Sequence, residues 1–439
     1  MTRLRFCAGL WLATATPLAL AQPACADTPP PATPQFGEAV KLADNFTFKP
    51  LVDARLRWED VEQPVKHLGA DAVTMRLRAG FELTDTAAHL SFLAEGEGNL
   101  GIDDHYNAFN YKNTASSQYL PAYAVVADPQ NVALNRLQLQ YKTTAVDLTV
   151  GRQRIVLDDE RWVGASNWRQ NQTTFDAVRG QLTLAPVTLD VTYSDRQRTV
   201  YGTDGGPRVS YAGRFWFLGA SIRTGPITTK AFAYLVNYDN DAATMQTVRG
   251  QTNSTQTYGV RSAGSFGLAK GVKLALAGSY AQQSNYGTNL RHYSARYIAG
   301  QGDLALHDLT LTGGYDLLGA DANATGGAWS VQTPMATLHK FDGWADQFLT
   351  TPAKGLADVY AGAVYKFTGI KAIPGLFAQA AYHQFNSDIG TINYGHEWDG
   401  AIGLKTGRIT WLAKYADYIA RGGGTTDTRK FWLQTEFGF

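Results

Sequence analysis

From about residue 45 to its last residue this chain alternates apolar and polar side chains at a period of two, and its end carries the pattern most sharply. The last ten residues, Lys430 to Phe439, read KFWLQTEFGF, with Phe431, Leu433, Thr435, Phe437 and Phe439 on one face and Lys430, Gln434, Glu436 and Gly438 on the other. Successive side chains of a strand point to opposite sides, so this segment predicts a strand with one face for lipid and one for water. A soluble sandwich can carry the same alternation, but it rarely ends on an uncovered aromatic such as Phe439.

The alternation recurs over 50–59, 72–83, 87–97, 134–142, 145–154, 175–184, 186–197, 213–223, 226–238, 256–266, 271–282, 293–301, 305–317, 357–368, 375–385, 396–406 and 408–418. With 429–439 these make about eighteen strands, an even number as single-chain bacterial barrels require. The chain length leaves roughly 23 residues for each strand and its connection, enough for a ~10-residue crossing and alternating short and long links. Long connections are expected near 98–132, 240–255 and 318–355. The expected fold is all-β: a transmembrane antiparallel barrel with long extracellular loops and short periplasmic turns. A soluble multi-sheet protein such as a propeller would show a blade-length repeat, and none is visible.

The N-terminus agrees with passage across an inner membrane. Arg3 and Arg5 precede a mostly apolar run from Phe6 to Leu20, followed by small-x-small sites at Ala19-Leu20-Ala21 and Ala24-Cys25-Ala26. This reads as a signal peptide over residues 1–26, too short and too interrupted by Thr14, Thr16 and Pro17 for a retained helical anchor. Residues 27–44 form a proline-rich periplasmic segment, and 45–439 form the barrel. A terminal Phe closing a strand resembles the assembly signal of outer-membrane barrels, which makes the outer membrane of a Gram-negative bacterium the expected location and barrel-assembly machinery and membrane lipids the expected partners.

Cys7 and Cys25 are the only cysteines and both leave with the leader, so disulfides, thiol nucleophiles and cysteine metal sites are excluded from the mature chain. With 39 basic against 38 acidic residues, bulk charge selects no partner and gives no reason to expect nucleic acid. Placement of charge says more. Outward sets such as Val187, Leu189, Val191 and Tyr193, or Val272, Leu274, Leu276 and Tyr280, suit a hydrocarbon band with an aromatic girdle. Strand parity turns Arg55 and Arg57, Arg76 and Arg78, Arg136, Arg179, and Arg196 and Arg198 inward, with Asp53, Glu82, Glu95, Glu97 and Asp190 among them. Some of these pairs stiffen the wall. The early strands nonetheless place more Arg inward than their acids neutralise, and Arg binds carboxylates bidentately.

The densest segment runs from Val150 to Gly180, VGRQRIVLDDERWVGASNWRQNQTTFDAVRG. Trp162 and Trp168 among Arg161, Arg169 and Gln170 offer faces for pyranose rings and donors for carboxylates. Asp158 and Asp159 read as a turn bridged to Arg152, Arg154 or Arg161. This segment, together with LHKFDGWADQFLTTPAKGLADV from Leu338 to Val359, resembles the alginate-export outer-membrane family from about residue 45 to the C-terminus. The resemblance implies an eighteen-stranded barrel whose arginine-lined constriction passes an anionic uronate polymer. Carried over position by position, Arg152, Arg154, Arg161, Arg169, Asp176 and Arg179 match the first motif. Segment 318–355 is expected to fold over or into one mouth as a gate, with Trp329, Phe341 and Trp344 packed there.

The expected function is therefore a channel for alginate-like anionic saccharides. The alternatives left open are a general anion or oligosaccharide porin for uptake and a purely structural barrel. Export would add a periplasmic partner. The eight histidines are scattered with no GxSxG-like or HExxH pattern, so catalysis is not expected, nor is a cofactor or structural metal. Asp103-Asp104-His105 and Asp239-Asn240-Asp241 could hold a cation weakly, but such clusters in loops are usually solvated turns.

Overall fold

The computed structural model describes residues 37–240 and 245–439. The expected leader and the proline-rich stretch up to residue 36 lie outside the described residues. Eighteen strands follow one another in antiparallel order. They are β1 (Phe46–Glu62), β2 (Ala70–Asp85), β3 (Leu90–His105), β4 (Asn131–Lys142), β5 (Val146–Gln153), β6 (Thr174–Leu184), β7 (Val187–Arg198), β8 (Ser210–Thr224) and β9 (Ile227–Tyr238). The second half comprises β10 (Thr255–Ala269), β11 (Val272–Asn285), β12 (Ser294–Leu306), β13 (Leu309–Leu318), β14 (Leu356–Lys366), β15 (Phe377–Asn386), β16 (Asn393–Thr406), β17 (Ile409–Ala420) and β18 (Thr428–Gly438). β1 pairs with β18, Arg55 opposite Glu436 and Arg57 opposite Gln434, so the sheet closes without a free edge. A two-residue strand, Val40–Lys41, lies along the start of β1.

Connections at one end are tight, as at 143–145, 225–226 and 270–271, whereas the other end carries loops 106–130, 154–173, 239–254 and 319–355. In bacterial barrels the long-loop end is extracellular. Several strands, β1, β3 and β12 among them, exceed the lengths expected from sequence because pairing continues past the lipid band, whereas β5, β13, β14 and β15 are shorter than expected; β3 runs on to His105, so its loop starts at residue 106. Loop 239–254 also contains a short helix, α1 (Met245–Asn253). Among the described residues no helix is long and apolar enough to cross a membrane, and the crossing is made by strands.

The period-two pattern explains the wall. Leu137, Leu139, Leu148, Val150, Val178, Leu182, Leu189 and Val191 are exposed on its outside, where a soluble protein would have to cover them. The inside is not uniformly polar. Phe215, Phe217, Phe232, Tyr234, Tyr238, Tyr297, Tyr418 and Trp432 are buried there in one cluster with Ile155, Leu157, Val163, Trp168, Met335, Trp344 and Phe348 from two loops. The apolar core thus sits inside the barrel and packs those loops against its wall. A second cluster joins Phe109, Tyr111, Ala124 and Val126 of loop 106–130 to Val61, Ala70 and Ala72 at the extracellular end of β1 and β2.

One local irregularity changes the reading of β7. The register shifts between Ser194 and Arg196, so that Asp195 is an extra residue in the ladder. Simple parity would carry Arg196 and Arg198 inward with the buried Asp190, Thr192 and Ser194. The bulge reverses the alternation, and Arg196 instead sits opposite Asp176 and Ala212 on the outer face.

Candidate functional site in the lumen

Loops 154–173 and 319–355 both turn into the barrel and bond to each other. Val163 and Met335 form a parallel bridge, the Gly164 N–H donates to the Met335 carbonyl at 2.9 Å, and the Thr337 N–H donates to the Glu160 carbonyl at 3.1 Å. The Thr337 hydroxyl donates to the Glu160 carboxylate at 2.6 Å and accepts from the Ser166 N–H at 3.0 Å. A Cβ on Gly164 would stand 2.2 Å from Thr337 Oγ1, so glycine permits the contact. Asp158, Glu160, Ser166, Asp342 and Asp346 all hold positive φ, an unusual density for residues other than glycine and the cost of turning two chains inside a tube. The segment expected as a gate thus lies inside the barrel, as half of a two-loop plug.

The wall arginines of β1 and β2 anchor that plug. Arg55 donates to the carbonyls of Asn167 at 3.1 Å and Trp168 at 3.0 Å, and its other nitrogen reaches Glu436 at 3.1 Å. Arg57 donates to the Trp168 carbonyl at 2.5 Å and to Gln434 at 2.7 Å. Arg76 bonds Asp53 and Glu436, and Arg78 bonds Glu97 and, at 2.9 Å, the Gln170 carbonyl. All four guanidiniums point to the barrel interior but are buried against the plug and the wall.

Their neighbours are similarly engaged. Arg136 takes Glu95 bidentately at 2.8 and 2.7 Å, and Arg179 takes Asp190 at 3.2 and 2.5 Å. Arg161 of one loop joins Asp342 of the other at 2.9 Å and reaches out of the plug to Asp316 of β13, with its guanidinium 3.9 Å from the Phe341 ring centroid. Burial would lower the Arg161 pKa, but Asp316 and Asp342 overcome that and raise it well above its ordinary value. Arg169 bonds Asp346 at 2.8 Å. The inferred surplus of inward arginine is therefore met by acids from distant strands and loops. Arg152 and Asp176, expected along the pore, bond each other at 2.7 Å on the outside, in the row continued by Val150, Leu137 and Val178. Asp158 and Asp159 do form bridged turns, but with Lys230 at 2.9 Å and Arg261 at 3.3 Å rather than with the nearby arginines.

Arg154 is the exception. It makes no hydrogen bond or ion pair among the described residues and is exposed inside the lumen. Enclosure by protein, and after it the nearby Arg136, brings its pKa down to about 10, so it stays cationic at neutral pH. It lines a cavity of about 680 Å³ with Arg179, Arg261 and Lys340. The same cavity is bounded by Asp316 of β13, Asp358 of β14, His383 of β15 and Tyr360. Glu397 and Asp399 of β16 are buried beside them on the next strand, Glu397 opposite His383, and the Ala345 N–H donates to Glu397 at 2.7 Å. Parity read on the later strands would have found this acidic wall.

The expected sugar platforms are occupied by protein. Trp168 is stacked on His339 at 4.6 Å and covered on its ring by Arg57 at 4.0 Å and Lys414 at 4.2 Å. Trp162 packs on Tyr297 and Phe232. Trp344 is buried beneath Lys414 at 3.7 Å, while Phe341 borders the cavity and Trp329 lies under Arg291 at 4.5 Å. His339 links these groups: Lys414 Nζ donates to its Nε2 at 2.7 Å, and its Nδ1–H donates to Asp346 at 2.8 Å. Asp346 also accepts from Lys430 at 2.7 Å. At the outer end of β3, Asp103, Asp104 and His105 bring their ligand atoms close together on the surface, with His105 Nδ1 2.5 Å from Asp103.

A closed eighteen-stranded barrel with an apolar exterior and loops folded through its lumen defines an outer-membrane channel of a Gram-negative bacterium. The sequence model of the alginate-export family matches residues 58–331, more than half of the chain, and the chain belongs to that family. Solved structures of similar fold include OccK1 (OpdK) of Pseudomonas aeruginosa, 10% identical, covering 89% of this chain and 98% of that one with a TM-score of 0.65. OccAB3 of Acinetobacter baumannii is 13% identical, with 89% and 99% covered and a TM-score of 0.65. OpdK of Pseudomonas aeruginosa with vanillate is 10% identical, with 89% and 98% covered and a TM-score of 0.64. At such identities the likeness is one of fold. No curated protein matches the chain.

Proposed function

We propose that this channel conducts solutes carrying carboxylates, of the uronate-saccharide class, and that Arg154 is the group that exchanges their hydration for a guanidinium contact. The observation that carries this is that Arg154 has no hydrogen-bond or ion-pair partner among the described residues, beside a cavity of about 680 Å³. The other arginines expected along the path that do face the interior, Arg55, Arg57, Arg76, Arg78, Arg136, Arg161, Arg169 and Arg179, each have a carboxylate within 4.0 Å. Arg179, Arg261 and Lys340 surround the same space, each held by one acid, and extend the positive side without gripping a solute too tightly to release. Across the cavity Asp316, Asp358 and Tyr360 supply acceptors and a hydroxyl for sugar groups while repelling carboxylates toward Arg154. Family membership supports the uronate class. Such a pore has no intrinsic direction: export would need a periplasmic partner to deliver polymer, and uptake would not.

The test is planar-bilayer recording under a salt gradient. The intact protein should show anion-preferring reversal potentials and current blockade by uronate oligomers but not by neutral sugars of equal length. Arg154→Ala should abolish both with little loss of stability, since it breaks no bond. Cation preference in the intact protein, or unchanged selectivity in the variant, would sink the proposal. A smaller-carboxylate reading is favoured by the plug that crosses the lumen and by the fold relative solved with vanillate. Blockade by monomeric carboxylates in place of oligomers would select it.

A further inference from the structure

The outer face presents a second arginine cluster for which the channel has no use. β5, β7 and β8 bring Arg152, Arg196, Arg198 and Arg214 outward at their extracellular ends. Directly below them on the same rows lie Val150, Val178, Tyr193 and Trp216, the last two with ring centroids 4.7 Å apart. The arginines therefore sit just above the aromatic girdle, where the headgroups of the outer leaflet begin.

This charge is not neutralised locally. Asp176 accepts from Arg152 at 2.7 Å and from Arg198 at 3.4 Å. Arg198 also lies close enough to Arg152 and Arg196 to feel both charges. Among the described residues the Arg196 guanidinium meets only the Ser210 hydroxyl, at 3.2 Å, and the exposed Arg214 side chain makes no hydrogen bond or ion pair. Four guanidiniums thus face Asp176 and the exposed Asp195. A different sector of the rim has the opposite character: Asp60, Glu62, Asp71 and Asp417 of β1, β2 and β17 stand around the single Arg429. The positive patch is therefore local, and the Asp195 bulge creates it by turning Arg196 and Arg198 to the lipid side.

We propose that this patch binds the phosphate groups of a phosphorylated glycolipid of the outer leaflet, lipid A, whose acyl chains lie on the Val150, Val178 and Trp216 surface. Guanidiniums match phosphate oxygens bidentately, and clustered basic residues at a membrane interface recognise anionic headgroups. A free phosphate would satisfy the same donors but would have no use for the apolar surface below them.

The experiment measures lipid retained by the full-length protein in phospholipid nanodiscs, using native mass spectrometry with bisphosphorylated lipid A and with lipid A stripped of phosphate. The intact protein should retain the bisphosphorylated form, and the combined Arg196→Ser, Arg198→Ser and Arg214→Ser variant should lose about tenfold or more in occupancy. Arg429→Ser should change nothing, and millimolar inorganic phosphate should not displace the lipid. Equal retention of the stripped form, retention by the combined variant, an equal loss in Arg429→Ser, or displacement by inorganic phosphate would each overturn the proposal. Heat-modifiable electrophoretic migration checks folding. Should the combined variant misfold, Arg214→Ser decides alone, because its side chain bonds nothing among the described residues: a loss of about threefold supports the site and no loss refutes it.

Discussion

Arg57 donates to the Trp168 carbonyl oxygen at 2.5 Å and holds its guanidinium 4.0 Å from the centroid of the same residue's indole ring. One wall side chain thus fixes both the backbone and the ring of the inward loop. Arg57→Ala removes these contacts and leaves Asp128 without its ion pair, at a cost of roughly 3–5 kcal/mol for a broken buried pair. Loop 154–173 should loosen, seen as more frequent large-conductance openings in single-channel traces. Unchanged gating would mean that the apolar core holds the loop alone.

Arg161 ties the two plug loops together through Asp342 and ties both to the acidic wall through Asp316. Arg161→Ala leaves two buried carboxylates unpaired and should cost about 3–5 kcal/mol, whereas Arg161→Lys should recover part of it, lacking the planar fork that meets both. Thermal unfolding of the detergent-solubilised protein measures the difference. Equal melting of the three proteins would refute the bridge.

Docking of loop 319–355 should weaken in acid. Burial holds His339 well below the ordinary imidazole range against the pull of Asp346, and the adjacent Lys414 lowers it further. An undocked imidazole therefore takes a proton near pH 6.5 while the docked one does not, and docking loses up to about 2 kcal/mol between pH 6.5 and 5. Burial would raise Asp346, yet His339, Lys430 and Arg169 outweigh it and hold the carboxyl well below its usual range. Its contribution is complete above about pH 4 and disappears only as the pH falls through the docked value. Tryptophan emission should shift between pH 7 and 5, and His339→Gln should flatten that window. A pH-independent signal from the intact protein would count against it.

Two glycines let the plug close. Gly343 holds φ +80°, and a Cβ there would stand 2.4 Å from Glu397 Oε2. Gly164→Val should part the two loops and Gly343→Val should lift loop 319–355 from β16, and each should raise conductance and expose 319–355 to protease without unfolding the barrel. Protection equal to that of the intact protein would show that the contacts relax at little cost.

The barrel was legible because lipid and lumen impose opposite chemistries on alternate residues, a signal carried by every strand. The β7 bulge was hidden because Ser194, Asp195 and Arg196 are all polar, so no apolar residue betrays the slip in register. Pairing was hidden by distance: Arg55 and Glu436 are 381 residues apart, and Arg161 and Asp316 are 155 apart. A guanidinium with a remote partner looks free in sequence. Trp168 misled for a related reason, since its faces are taken by His339 of one distant loop and Lys414 of one distant strand. Arg154 was visible among the motif arginines, but only the fold separates it from its paired neighbours.

The β1–β18 seam has a consequence for biogenesis. Glu436 and Gln434 of the last strand orient Arg55 and Arg57 of the first, and those arginines grip the carbonyls of loop 154–173. Until the final strand zips onto the first, the grip lacks half its members. The event that makes this chain a watertight cylinder also seats its internal obstruction, so a half-inserted intermediate would leak before it could discriminate.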